Sequence, residues 1–146
     1  MSDFRKLGET IYASPQIAAE DIAAAREQGV TLVINNRPDG EADGQPTGAE
    51  IETAARAAGL DYVAIPVGGA GFGEPQVQAM AEALAGAQGK VLAYCRSGTR
   101  STLLWSLAQA QAGRDPEDLA TAAADAGYDV TPVRPAMDML AARARN

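Results

Sequence analysis

The sequence contains no histidine and only one cysteine, Cys95, among its 146 residues. Without histidine, catalysis by Ser–His or Cys–His pairs, histidine-containing zinc sites and imidazole acid–base chemistry are excluded. One cysteine can form neither an intrachain disulfide nor a thiolate metal cluster, so nothing in the sequence indicates an oxidising compartment. Chemistry at Cys95 must therefore use arginine, backbone and hydroxyl groups, and neither a metal nor a cofactor is expected.

Basic charge and long apolar runs are also scarce. The formal net charge is −7, with 12 Lys and Arg against 19 Asp and Glu, whereas nucleic acids and anionic membrane surfaces favour a basic face. No apolar run approaches the roughly 18 residues of a membrane-spanning helix, and the first residues do not resemble a signal peptide. The sequence predicts a cytoplasmic protein of one domain, residues 1–146, with no nucleic-acid or membrane partner.

Strand and helix patterns alternate along the chain. Apolar or β-branched runs predict strands at 10–13, 30–35, 61–65 and 91–93. Helices are predicted at 18–28, at 47–59, around 75–85, after the Cys95 loop, at 115–127 and at 135–145. This alternation predicts an α/β fold of three layers, with a mainly parallel central sheet flanked by helices.

Three predicted strand ends define one site. In parallel sheets, ligands bind at the carboxyl ends of the strands. The polar segment 35–37, the segment 66–69 and Cys95 each follow a predicted strand. The segment 68–73 contains four glycines, which suits either a flexible linker or a flap over the active site.

Residues 91–101 predict a strand, a short loop and the start of a helix. The backbone N–H groups of such a loop and the helix dipole attract an anion. They also stabilise a cysteine there as its thiolate, and Gly98 suits a tightly turning backbone. Arginine and hydroxyl side chains crowd the loop, namely Arg96, Ser97, Thr99, Arg100 and Ser101. This crowding favours a catalytic or anion-binding loop over the alternative, a buried structural cysteine.

The run from Tyr94 to Ser101 resembles the active-site loop of single-domain rhodaneses, which are sulfurtransferases. The order of elements, with the runs Asn-Asn-Arg-Pro-Asp-Gly-Glu at 35–41 and Ile-Pro-Val at 65–67, resembles instead the cysteine-phosphatase fold. Over nearly its whole length, the chain is similar to the bacterial phosphatase-like family that is fused to the metallo-hydrolase domain of beta-lactamase hydrolase-like proteins. This resemblance implies a cysteine-phosphatase-like fold and a functional link to a metallo-hydrolase or persulfide dioxygenase.

The sequence departs from the cysteine-phosphatase pattern in three ways. Four residues separate Cys95 from Arg100, where those enzymes have five, and Tyr94 stands where they have histidine. Their general acid, an aspartate on the flap, has no counterpart because no carboxylate lies between Asp61 and Glu74. General acid catalysis contributes about 10²–10⁴-fold, so a phosphatase without it would be slow.

The leading hypothesis is a cysteine-dependent sulfurtransferase. Cys95 would take a sulfane sulfur from a small-molecule donor and pass it, as a persulfide, to a thiol acceptor. Arg100 and the loop residues Arg96, Ser97, Gly98 and Thr99 would bind the anion. Sulfur transfer expels an anion that is already stable, so it needs no strong acid.

Two alternatives remain open. The first is a protein tyrosine or dual-specificity-like phosphatase that acts on a phosphorylated substrate through a Cys95 thiophosphate, with Ser101 assisting its breakdown. In that case Asp39 or Glu74 would supply the proton, and Arg37 would support the site from the neighbouring loop. The second is a non-catalytic module that senses an anion or a persulfide.

Overall fold

The computed structural model describes residues 2–145. Its elements in chain order are β1 (Arg5–Gly8), β2 (Ile11–Ser14), α1 (Ala19–Glu27), β3 (Val30–Asn35), α2 (Gly48–Ala57), β4 (Asp61–Ala64), α3 (Glu74–Gly86), β5 (Lys90–Tyr94), α4 (Thr99–Gln111), α5 (Pro116–Asp125) and α6 (Arg134–Ala144). A short 3-10 turn, Thr131–Val133, precedes α6. The predicted α/β alternation is confirmed. Within the described residues, no helix is long and apolar enough to cross a membrane.

The sheet has five strands in the order β1-β2-β5-β3-β4. The strands β2, β5, β3 and β4 are parallel, as predicted, and β1 pairs antiparallel with β2. The sequence does not predict β1, because only Leu7 of its four residues is buried. In the parallel register, Ser14, Tyr94 and Asn35 lie side by side, and Ala64 lies opposite Asn35. The four parallel strands therefore end along one line.

Helices cover both faces of this sheet. The helices α1 and α2 pack on one face, where Val33 and Leu92 join their core. The helices α3 to α6 pack on the other, against Ile34 and Val91. Successive side chains of a strand point to opposite faces, so neighbours such as Val33 and Ile34 enter different cores. The predicted three-layer architecture is confirmed.

The helix α4 departs from the predicted pattern of one apolar face. Every residue from Ser101 to Ala108 is buried, because α4 lies between the sheet and the helices α3, α5 and α6. Ser101 and Thr102 are polar, but their hydroxyls have hydrogen-bond partners inside the protein, which removes most of the penalty for burying them. Packing on all sides fixes the N terminus of α4 beside Cys95.

Candidate functional site

Cys95 follows β5 and is only 1% exposed. The backbone N–H of Gly98 donates a hydrogen bond of 3.1 Å to its Sγ. Gly98 is the N-cap residue of α4 and has a φ of +93°, which favours glycine. The sulfur thus faces a backbone donor at the start of a helix, an arrangement that stabilises a thiolate.

Hydroxyl groups within the loop and the first turn of α4 fix the loop's shape. Ser97 Oγ donates to Thr99 Oγ1 over 3.0 Å, and the N–H of Thr99 donates to Ser97 Oγ over 3.4 Å. Thr102 Oγ1 donates to the carbonyl oxygen of Gly98 over 2.9 Å. Ser97 and Thr99 are exposed, as is Arg96. These three predicted loop residues therefore line the surface around the buried thiol.

Ser101 fastens α4 to the end of β3. Its Oγ donates to Asn36 Oδ1 over 2.7 Å, and both residues are completely buried. Asn36 in turn donates its side-chain N–H to Ile65 and its backbone N–H to Tyr94. Within residues 2–145, no hydrogen bond joins Ser101 to Cys95. The predicted role of Ser101 in breaking down a thiophosphate stays a prediction.

The guanidinium of Arg100 is held from two directions. Its NH1 group donates to the carbonyl oxygen of Val67 and to Glu41 Oε2, both over 2.7 Å, and its NH2 group donates to Glu41 Oε1 over 2.8 Å. The hydrogen bond with Glu41 is the main cause of a raised pKa at Arg100, and the charge of Cys95 raises it further. Nε donates to no protein atom of the described chain. This open edge can bind an oxyanion beside the thiol.

Glu41 bridges two arginines. Besides its two bonds with Arg100, its Oε1 accepts from Arg37 Nε over 2.9 Å. The Arg37 side chain is only 4% exposed and also donates to Gln16 Oε1 over 3.0 Å. Hydrogen bonds from Arg100 and then Arg37 lower the pKa of Glu41 to about 2. Glu41 is therefore ionised at neutral pH and cannot donate a proton to a leaving group.

Neither of the two candidate acids bonds to the Cys95 loop. Asp39 Oδ1 accepts the N–H of Gly48, the first residue of α2, over 2.8 Å. Glu74 begins α3 and lines a groove that residues of α4 and α6 complete. Their predicted role as proton donors stays a prediction. No group of three His, Cys, Asp or Glu side chains suited to a metal ion occurs within residues 2–145.

Tyr94, the residue before Cys95, has its side chain in the protein core. Its side chain belongs to the core shared with α1 and α2. Burial is the main cause of a raised pKa at Tyr94, so its phenol stays neutral at physiological pH. Tyr94 therefore contributes packing where cysteine phosphatases have a histidine.

Three residues that bond to the site or its loop were not singled out from the sequence. Glu41 and Gln16 bond to the arginines, and the Tyr128 hydroxyl donates to the carbonyl oxygen of Ser97 over 3.1 Å. Glu41 lies in a polar loop without periodicity, and its local signals are its four-residue spacing from Arg37 and its place at the end of the run 35–41 that carries the family resemblance. Tyr128 carries no local signal at all.

Comparison with known proteins confirms the predicted family resemblance. The family model described as "Beta-lactamase hydrolase-like protein, phosphatase-like domain" matches residues 3–112. A beta-lactamase hydrolase-like protein of Agrobacterium fabrum is 43% identical over 105 residues, which are 72% of this chain and 24% of that protein. The chain thus spans only 24–29% of the length of the curated relatives it matches.

Solved structures agree on the fold. A candidate phosphatase from Neisseria meningitidis is 31% identical, has a TM-score of 0.83, and is matched over 96% of this chain and 99% of its own. TpbA of P. aeruginosa in complex with pTyr is 17% identical, with a TM-score of 0.68 over 99% of this chain and 91% of its own. The second likeness shows the fold alone. These similarities confirm the cysteine-phosphatase-like fold. The family match and the Neisseria meningitidis structure also favour the phosphatase alternative over the sulfurtransferase hypothesis.

Proposed function

Because the chain belongs to the phosphatase-like domain family of beta-lactamase hydrolase-like proteins, we propose that it is a cysteine-dependent phosphatase with Cys95 as its nucleophile. One observation carries this proposal. Sγ of Cys95 accepts the N–H of Gly98, while Glu41 and Val67 hold Arg100 with its Nε edge open. This arrangement supports the proposal because it suits a nucleophile beside an oxyanion clamp.

The proposed reaction has two steps. The Cys95 thiolate attacks the phosphorus atom of a phosphoester, so that an S–P bond forms and the P–O bond to the leaving group breaks. The leaving oxygen departs with the electron pair and takes a proton from water. In the second step, water attacks the phosphorus atom, the S–P bond breaks, and phosphate leaves with the thiolate restored. Arg100 and the loop N–H groups stabilise the charge on the phosphoryl oxygens throughout.

The proposed substrate class is the aryl phosphoesters. The carboxylate bonded to Arg100 is Glu41, whose low pKa keeps it ionised. Without a proton donor, the enzyme depends on leaving groups that are stable as anions, and phenoxides are more stable than alkoxides. The complex of the structurally similar TpbA with pTyr is consistent with an aryl phosphate in a site of this fold.

The same observation supports a second candidate, sulfur transfer. The Cys95 thiolate would attack the outer sulfur of an anionic donor such as thiosulfate, so that the S–S bond breaks and sulfite leaves with the electron pair. An external thiolate would then attack the outer sulfur of the persulfide and restore Cys95. Neither step needs a proton donor. This suits a site in which Glu41, the carboxylate bonded to Arg100, is ionised. A link to a metallo-hydrolase or persulfide dioxygenase, which the family resemblance implies, is part of this candidate.

The covalent intermediate distinguishes the two reactions. Purified protein is mixed with p-nitrophenyl phosphate, or with thiosulfate, quenched in acid, and its intact mass is measured. Because Cys95 is the only cysteine of the chain, a gain of one phosphoryl group supports the phosphatase, and a gain of one sulfur atom supports the sulfurtransferase. Cys95→Ser is the control and should show neither adduct. A parent protein that forms neither adduct and turns over neither substrate would leave the non-catalytic sensing module.

A series of aryl phosphates sharpens the phosphatase test. As the leaving phenol becomes less acidic, the rate of the first step should fall steeply, because no side chain protonates the departing oxygen. When release of the phenol limits turnover, equal rates across the series would contradict an acid-free phosphatase. A burst of phenol in the first turnover would show that the second step limits turnover, and the rate of the burst is then compared across the series.

A further inference from the structure

Tyr128 contacts the Cys95 loop from outside the family-matched region. The family model ends at residue 112, whereas Tyr128 lies between α5 and α6 and is only 7% exposed. Its hydroxyl donates to the carbonyl oxygen of Ser97 over 3.1 Å. A residue distant in sequence thus bonds directly to the backbone of the nucleophile's loop.

One peptide group connects this hydroxyl to the thiol. The carbonyl oxygen of the Ser97–Gly98 peptide accepts from Tyr128, and the N–H of the same peptide donates to Sγ of Cys95. The peptide group is planar, so the two hydrogen bonds fix one rigid unit. A hydrogen bond accepted by the carbonyl oxygen polarises the group and strengthens its N–H as a donor.

Tyr128 also fills the space beside this peptide. A Cβ atom on Gly98 would collide with the Tyr128 hydroxyl and would lie 3.3 Å from the backbone of Ser14. The positive φ of Gly98 and this close approach both require glycine. The peptide therefore lies packed between two neighbours and cannot turn its N–H away from the sulfur without displacing one of them.

Burial, more than the charged groups nearby, keeps the Tyr128 hydroxyl protonated and therefore a donor. The guanidinium of Arg5 lies 5.1 Å from the centre of the ring, and Asp3 pairs with Arg5. Burial is the main cause of a raised pKa at Tyr128; Arg5 opposes it, and the charge of Cys95 adds to it. The hydroxyl thus stays protonated through neutral pH.

We propose that Tyr128 is a positioning residue for the nucleophile. Through the Ser97–Gly98 peptide it orients and polarises the N–H that stabilises the Cys95 thiolate. This inference rests on the nucleophilic role of Cys95 in the proposed function. It also gives the chain beyond residue 112 a part in the chemistry.

Removal of the Tyr128 hydroxyl tests the proposal. In Tyr128→Phe, the rate of Cys95 alkylation by iodoacetamide at neutral pH should fall about 2–10-fold, the effect of losing one hydrogen bond. The midpoint of its pH profile should move to higher pH. For p-nitrophenyl phosphate, kcat should fall while KM changes little, because Tyr128 does not touch the substrate. The matched control is Tyr12→Phe, a tyrosine that packs against Phe4 and Lys90 and should alkylate like the parent.

An unchanged alkylation profile in Tyr128→Phe would overturn the proposal, even if the melting temperature fell. If this variant fails to fold, a ring-fluorinated tyrosine at position 128 keeps the shape of the side chain and is a stronger donor. The midpoint of the pH profile of Cys95 alkylation should then move to lower pH, and an unchanged midpoint would equally overturn the proposal. Alkylation needs no substrate, so a shifted profile in a protein that turns over neither phosphate nor thiosulfate would refute the proposed function alone.

Discussion

The two sides of the site are held by different kinds of interaction. On the thiol side (Cys95, Gly98 and Tyr128), a backbone N–H and a phenol hydroxyl act as neutral donors among buried residues. On the arginine side (Arg37, Glu41 and Arg100), full charges meet, and the side chains of Glu41 and Arg100 are 27% and 24% exposed.

This difference separates two functions within one site. Neutral, buried hydrogen bonds neither titrate near neutral pH nor weaken much with salt, so they give the nucleophile a constant environment. Ion pairs near the surface weaken as the ionic strength rises. Binding of the anion should therefore depend on ionic strength more strongly than the hydrogen bonds around the thiol do.

The largest effect is expected from breaking the thiol side. Cys95→Ser should lower kcat for p-nitrophenyl phosphate and for thiosulfate by roughly 10⁴-fold or more, the scale of losing an enzyme nucleophile. The hydroxyl is far less ionised than a thiol, so no intermediate forms. Steady-state assays check this, with the melting temperature as the control for folding. A Ser variant that kept a tenth of the parent rate would rule out Cys95 as nucleophile.

A smaller but still large effect is expected from the arginine side. Arg100→Lys keeps the charge but removes the planar fork, so it cannot bind Glu41 and the substrate oxyanion at two points each. We expect kcat/KM to fall about 10²–10³-fold, as when a donor to a developing oxyanion is lost. Arg26→Lys, an exposed arginine of α1, is the matched control. Equal activity of the two variants would mean that Arg100 does not clamp the anion.

The pH dependence of stability should show how much the ion pairs of the arginine side stabilise the fold. The pKa of Glu41 falls from its ordinary 4.5 to about 2 in the folded protein, so its stabilising effect is complete above about 4.5 and is lost as the pH falls towards 2. In that window the melting temperature of Glu41→Gln should decline less than that of the parent, by a few degrees. Glu52→Gln, which breaks the exposed pair with Arg56, should follow the parent. Parallel curves for Glu41→Gln and the parent would show that the double ion pair does not stabilise the fold.

The smallest effect is expected at the two predicted acids. Asp39→Asn keeps an oxygen that can accept the N–H of Gly48. Glu74 lies at the start of α3 and makes no hydrogen bond with the Cys95 loop within the described residues. Both Asp39→Asn and Glu74→Gln should retain aryl phosphate and thiosulfate turnover within about twofold, because in the proposed reactions neither group donates a proton. A loss of tenfold or more in phosphate turnover alone would identify that carboxylate as the missing acid.

Apart from Tyr128, the thiol side was largely predictable, because Cys95, Gly98 and the start of α4 are close together in the sequence. An apolar strand, a glycine and a helical pattern place Cys95, Gly98 and the start of α4 next to one another whatever the rest of the chain does. The alternation of strands and helices likewise predicted the sheet and its two covered faces. The fold and family were therefore accessible from sequence.

The arginine side and Tyr128 depend on contacts that sequence spacing does not reveal. Glu41 is 59 positions from Arg100, and Tyr128 is 31 positions from Ser97. The burial of α4 on all sides was missed for a related reason, since the buried hydroxyl of Ser101 is satisfied by Asn36, which is 65 positions away. The loop also led to sulfur transfer as the first hypothesis. The loop itself resembles that of rhodaneses, whereas the order of the surrounding elements resembles the cysteine-phosphatase fold.

The spread of these residues along the chain has a consequence for folding. The hydrogen-bonded groups at and beneath the site come from segments between Gln16 and Tyr128, so contacts between segments distant in sequence join the short-range contacts of the loop into one site. Such contacts form only when loop closure is complete, late in assembly. No fragment of the chain should bind the anion, and in denaturant the loss of activity should coincide with global unfolding. We therefore expect anion binding and the cooperative folded state to be lost in a single transition.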